Sequence, residues 1–118
     1  TKDITNKIEI TLRLGADKYY FVIANLLAHL YYNQNNLEGY TPREILTAAE
    51  NFGLVKEPFL PDSEEKTAAL MEELCELNIL RKVGEDKYLF SRQRILRIVG
   101  SLNEVEDSLL KLMEAAHE

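Results

Sequence analysis

The sequence predicts an α+β domain, mostly helical, with a small antiparallel sheet and extra C-terminal helices. Three observations carry that prediction. An amphipathic helix signal over Asp62–Asn78 runs directly into a hairpin pattern over Ile79–Ser91. Two further helix signals precede it, one of them opened by a capping sequence. A period-two apolar run near the start offers a third strand. At 118 residues, 46% of them hydrophobic, the chain is long enough for one domain around one core. We therefore read residues 1–118 as a single domain. The start at Thr1 rather than Met suggests a piece excised from a longer protein.

Ile8, Ile10, Leu12 and Leu14 alternate with Glu9, Thr11 and Arg13, the spacing of a half-buried strand that Gly15 ends. A two-stranded hairpin alone is marginal, so this strand is expected to complete a three-stranded sheet. From about Asp17 to Asn33 the chain reads as a helix. Phe21, Ile23, Ala24, Leu27, Ala28, Leu30 and Tyr31 cover most of its circumference, and Asn25, His29 and Asn33 leave a narrow polar stripe. A helix so apolar belongs at the centre of the core. Asn33 to Asn36, with Gly39, reads as a loop.

Thr41-Pro42-Arg43-Glu44 starts the second helix: threonine can cap, proline suits the first helical position, and Glu44 can close a capping box. Ile45, Leu46, Ala49 and Phe52 form its apolar face, and Gly53 stops it. Leu54 to Pro61 holds two prolines and is expected to be irregular, with Leu54, Val55, Phe59 and Leu60 turned to the core. Asp62 or Ser63 caps the third helix, whose first-turn glutamates match its dipole. Thr67, Leu70, Met71, Leu74 and Leu77 line its buried face, and Asn78 suits a left-handed C-cap. Leu80, Val83, Tyr88 and Phe90 are the apolar residues of the hairpin, with Gly84-Glu85-Asp86 at its tip. A short helix follows over about Arg92–Val99. Ser101 and Glu104 then open a last helix with Leu102, Val105, Leu109, Leu112 and Ala116 at alternating steps of three and four. That seam lasts two heptads and favours a helix docked on its own domain over a coiled coil, with a dimer through this helix as the alternative. Helix, helix, helix, hairpin is the order of a winged helix.

The segment Tyr88 to Gly100 resembles a pattern in large microbial P-loop ATPases of the AAA/STAND-like kind, which carry a winged-helix domain towards the C-terminus of the ATPase module. Tyr88 and Phe90 match the Tyr-x-Phe of their wing strand. Ile95-Leu96-Arg97-Ile98-Val99-Gly100 is similar to their Val-Leu-Arg-Leu-Leu-Gly helix. Leu74, Leu77, Ile79 and Leu80 fit upstream, as does Leu14 to Ala24 against a Leu-Asp-x-x-Tyr-x-x-Ile-Ala start. The chain departs from the family at Ser91-Arg92-Gln93-Arg94, where Arg-Ser-Pro-Asn is usual. The resemblance spans most of residues 10–105 and implies a parent ATPase. ATP chemistry is not implied for this segment, which has no G-x-x-x-x-G-K-[ST] loop.

No residue constellation here points to catalysis, a metal or a cofactor. His29 and His117 have no Cys or His at ligand spacing, and Cys75 stands alone on an acidic helix whose carboxylates disfavour a thiolate. We expect a buried, structural Cys75 and a surface or interhelical His29. The glutamates of Glu64 to Glu76 read as a solvated face. The lone cysteine, the lack of a secretory pattern and the absence of any apolar stretch near the ~20 residues of a membrane span fit a cytoplasmic setting without membrane contact.

The formal charge is −6, which disfavours phosphate backbones unless the basic residues are segregated. The third helix offers Glu64, Glu65, Glu72, Glu73 and Glu76 against Lys66, and the wing tip offers Glu85 and Asp86. Both would set carboxylates against DNA, so specific duplex binding is not expected. Arg81, Lys82, Lys87, Arg92, Arg94 and Arg97 cluster on or just after the hairpin. They are either a solvated face pairing with the acidic helix or a patch for an acidic surface. The expected function is a non-catalytic interaction or regulatory module that docks on an ATPase core or a partner protein. The alternative is a nucleic-acid-binding domain, related to DNA binding or transcription, that uses the basic wing side.

Overall fold

In the structure, a computed structural model, residues 18–118 are described. In chain order they form α1 (Tyr19–Gln34), α2 (Pro42–Asn51), α3 (Glu64–Glu76), β1 (Leu80–Gly84), β2 (Lys87–Phe90), α4 (Gln93–Val99) and α5 (Leu102–Ala116). The architecture is α+β and mostly helical, with one two-stranded antiparallel sheet among the described residues. The strand expected over Ile8–Leu14 lies outside them.

Helix α1 is the axis of the core. Every residue from Val22 to Ala28 is buried, and α2, α3, α4 and α5 all pack against this helix. A segment apolar on nearly all sides has no face to give to water. The polar stripe departs from expectation at Asn25, which is 1% exposed. Its Nδ2 donates to the Phe21 carbonyl at 2.9 Å, while Oδ1 has no hydrogen-bond partner. His29 sets its ring edge-on to Phe52 of the α2 terminus, 5.6 Å between centroids. His29 is half-buried and Asn33 exposed, so the stripe is a buried-to-exposed gradient that the end of α2 partly covers.

The capping chemistry is as the sequence predicts. Thr41 and Glu44 form a complete capping box with Pro42 in the first turn, Ser63 caps α3, and Ser101 and Glu104 form a second box on α5. Asn78 takes a left-handed φ of 62° after α3. Thr67 is fully buried and satisfied, its Oγ1 donating to the Ser63 carbonyl at 2.9 Å. Leu77 differs from expectation: it is 47% exposed. The helix stops at Glu76, so Leu77 sits at the C-cap, past the last turn that would aim it at the core. The connection after α2 buries Leu54, Phe59 and Leu60. Its Lys56 also donates to the Ala116 carbonyl at 2.6 Å, satisfying the end of α5.

The hairpin is less regular than a plain alternation. Lys82 faces Tyr88 and Gly84 faces Lys87, so Val83 is an extra residue and a bulge. In β2, Tyr88, Leu89 and Phe90 are all buried, because helices cover one face and the α1–α2 connection meets the other edge. At that edge Tyr40 and Tyr88 exchange backbone hydrogen bonds, 2.9 Å each way, forming a one-residue third rung. Fully buried Tyr40 also donates its hydroxyl to the Leu30 carbonyl at 3.1 Å and accepts from the Asn36 amide. Helix α5 buries Val105, Leu109, Leu112 and Ala116 and packs on α1, so its apolar seam is covered within the chain.

Candidate interaction surface

Strand alternation puts neighbouring residues of β1 on opposite faces. It therefore divides the basic cluster. Lys82 turns towards α3, where its Nζ lies 2.7 Å from Glu72 and 5.7 Å from the centre of the Tyr88 ring. Tyr88 donates its hydroxyl to the same Glu72 oxygen at 2.6 Å. The two donors hold the Glu72 carboxyl below the ordinary carboxylate value. Burial, then Glu72, pushes the Tyr88 phenol well above its usual range. Lys87 shares a shallow recess under the hairpin tip with Glu38, Glu85 and Asp86, so its charge is set among carboxylates.

The arginines are placed differently. Arg81, Arg92, Arg94 and Arg97 are all exposed, and none forms an ion pair with a described residue. Arg81 and Arg92 lie on a cleft of about 230 Å³ between α1, the hairpin and α4. Leu27 and Tyr31 of α1, Leu89 and Phe90 of β2, and Leu96 of α4 supply its apolar lining, and Gln93 and Ser91 its polar one. Leu37, from the α1–α2 loop, stands at the cleft 69% exposed. Arg94 and Arg97 are three apart on α4 and share its outer face. The structure thus sets Arg81 and Arg92 on the cleft and Arg94 and Arg97 on the exposed face of α4, and turns Lys82 to Glu72.

The glutamate run of α3 is not simply a solvated face. Glu64 reaches Arg43 of α2 at 3.5 Å, Glu72 binds Lys82 and Tyr88, and Glu73 accepts from the Tyr20 hydroxyl of α1. The Glu73 bond raises the Tyr20 phenol to about 12. Three carboxylates therefore tether α3 to its neighbours, and Glu65 and Glu76 remain exposed beside them. Pairing of the basic hairpin with the acidic helix, one of the two sequence readings, holds for Lys82 and Glu72, whereas the tethers to Arg43, Tyr20 and Tyr88 were missed because those partners lie on three further elements. Sequence reading also missed the cleft, whose two sides run from Leu27 to Leu37 and from Arg81 to Leu96 and are far apart in the chain. Leu37, a large apolar residue inside a polar loop, was the one local signal for it.

Cys75 is half-buried rather than buried, and burial followed by Glu72 raises its thiol pKa. Among the described residues no group of three or more His, Cys, Asp or Glu side chains is arranged to hold a metal. No helix there is long and apolar enough to cross a membrane. No family model, curated protein or solved structure matches the chain.

Proposed function

We propose that this chain is a non-catalytic winged-helix module that docks on protein through its arginine side, appended to a P-loop ATPase. The observation that carries the reading is an apolar cleft flanked by Arg81 and Arg92, with Arg94 and Arg97 exposed on α4 and none of the four in an ion pair with a described residue, in a chain of net charge −6. Internal pairing among the described residues accounts for Lys82 and for none of these four. Arginine suits protein interfaces through bidentate pairing and weak hydration. The order of three helices and a hairpin, with the Tyr40 rung on β2, supports the winged-helix assignment. The resemblance of residues 88–100 to the ATPase pattern supports the attachment. Duplex DNA docking through α3 and the wing tip is disfavoured by Glu65, Glu76, Glu85 and Asp86, all exposed on those elements.

The test is co-purification of this domain with the polypeptide encoded upstream of Thr1, wild type against R94E/R97E, at low and high salt. Recovery lost in the double reversal and weakened by salt is the expected result. Equal recovery in every condition would remove the arginines from the reading. An upstream frame without a Walker loop would remove the ATPase attachment.

A further inference from the structure

We infer that the cleft between α1, the hairpin and α4 receives a short acidic peptide segment that inserts one or two apolar side chains. The inference rests on the protein-docking reading above and specifies the chemistry of what docks. Size argues first. Small-molecule sites occupy roughly 300–1,000 Å³, and this cleft has about 230 Å³. That volume suits an anchoring side chain better than a metabolite or nucleotide cofactor. Its lining argues next. Leu27, Tyr31, Leu89, Phe90 and Leu96 give it an apolar floor, and Leu37 offers a side chain 69% exposed that a partner would cover. Large apolar side chains held beside a concavity are a feature of interaction sites.

Charge complementarity then selects the partner. Arg81 comes from β1 and Arg92 from the turn into α4, two separate elements that converge on the same cleft. Neither is paired with a described carboxylate, although the domain carries an excess of acidic residues. Among the described residues no acidic side chain lines the cleft. An apolar anchor flanked by Asp or Glu would fill the floor and bring carboxylates to both guanidinium groups. A basic peptide would be repelled, and a neutral one would leave both arginines without partners. Single-stranded nucleic acid shares the negative charge, but of the two aromatics in the lining Phe90 is buried and Tyr31 half-buried. Base stacking favours flat aromatic platforms.

The experiment is a fluorescence-anisotropy titration of the full chain with a labelled Glu-Asp-Phe-Leu-Glu-Asp peptide. Controls replace Phe-Leu by Ser-Ser, the acids by their amides, or the whole probe by labelled oligothymidine. Wild type should bind the acidic peptide saturably, and both altered peptides should bind at least about tenfold more weakly. R81E/R92E and Leu37→Ser should each weaken binding with unchanged thermal melts, since all three side chains are exposed. Absence of binding, or binding indifferent to these variants, overturns the inference. So does tighter binding of oligothymidine, which would assign the arginines to phosphates. A dimer in light scattering that R81E/R92E dissolves would assign the cleft to a second copy, and nuclear Overhauser contacts from residues 8–14 would assign it to the chain itself. Co-purification with the upstream polypeptide, run on the same R81E/R92E variant, separates the two levels. Recovery that persists while the peptide fails leaves protein docking standing and removes the cleft from it.

Discussion

Leu74 shows how much one residue of α3 carries. It is fully buried between that helix and the core. Leu74→Ala should destabilise the domain by about 2–5 kcal/mol, because the neighbours relax only partly into the space left. Denaturant melts that match wild type would mean the buried face of α3 has been misplaced. Glu72 makes a pH-dependent contribution. Lys82 and Tyr88 depress its folded-state pKa below the ordinary 4.5. A depressed carboxyl stabilises the fold above its unfolded value and loses that contribution as pH falls through the folded one. The stability gap between wild type and Glu72→Gln should therefore shrink from about pH 6 to pH 3. The effect is small, because the Glu72 and Lys82 side chains are each 46% exposed and screened by solvent. A gap that stays constant over that range would show that Glu72 does not titrate in the folded protein as described.

At the scale of elements, caps and turns do the local work. Thr41 and Ser101 each accept from the third residue of their helix while Glu44 and Glu104 bond back. Thr41→Ala and Ser101→Ala should each cost about 1 kcal/mol. The double variant should cost about the sum, since the two caps open different helices and share no hydrogen-bond partner. Chemical denaturation of all three variants checks both points. Gly39 holds a φ of 95°, and a Cβ there would lie 2.5 Å from Val83 Cγ2 and 3.2 Å from the Tyr88 nitrogen. Gly39→Ala is thus strained in backbone and in space, and its clash falls on the rung joining Tyr40 to Tyr88. The expected result is a loss of about 1–3 kcal/mol. Amide hydrogen exchange should locate it, with Tyr40 and Tyr88 losing protection before α5 does.

Taken whole, the molecule separates its charges. Acidic side chains sit on α3 and the hairpin tip, while arginines with no ion-pair partner among the described residues lie on β1 and on or beside α4. Phosphate neutralisation drives DNA affinity, and non-specific binders reach only about 10⁻⁴–10⁻⁶ M at physiological salt. We expect no sub-micromolar affinity for random duplex at about 150 mM salt. A sub-micromolar titration curve under those conditions would overturn the charge argument and move the arginine side to nucleic acid.

The sequence by itself determined where helices begin and end, because caps act over three or four residues. Thr41 with Glu44, Ser101 with Glu104, and Asn78 are readable for that reason. It also determined that α1 is central, since an all-round apolar helix admits no surface position. Tertiary structure decided what depended on partners distant in the chain. Tyr40 became a rung because β2 arrived beside it, and Asn25 became buried because other elements closed over the stripe. The basic cluster split because β1 is pleated, sending Lys82 to Glu72 and Arg81 to the cleft. Spacing along a chain reports which residues share a face. Which element then covers that face is settled by packing across many intervening residues.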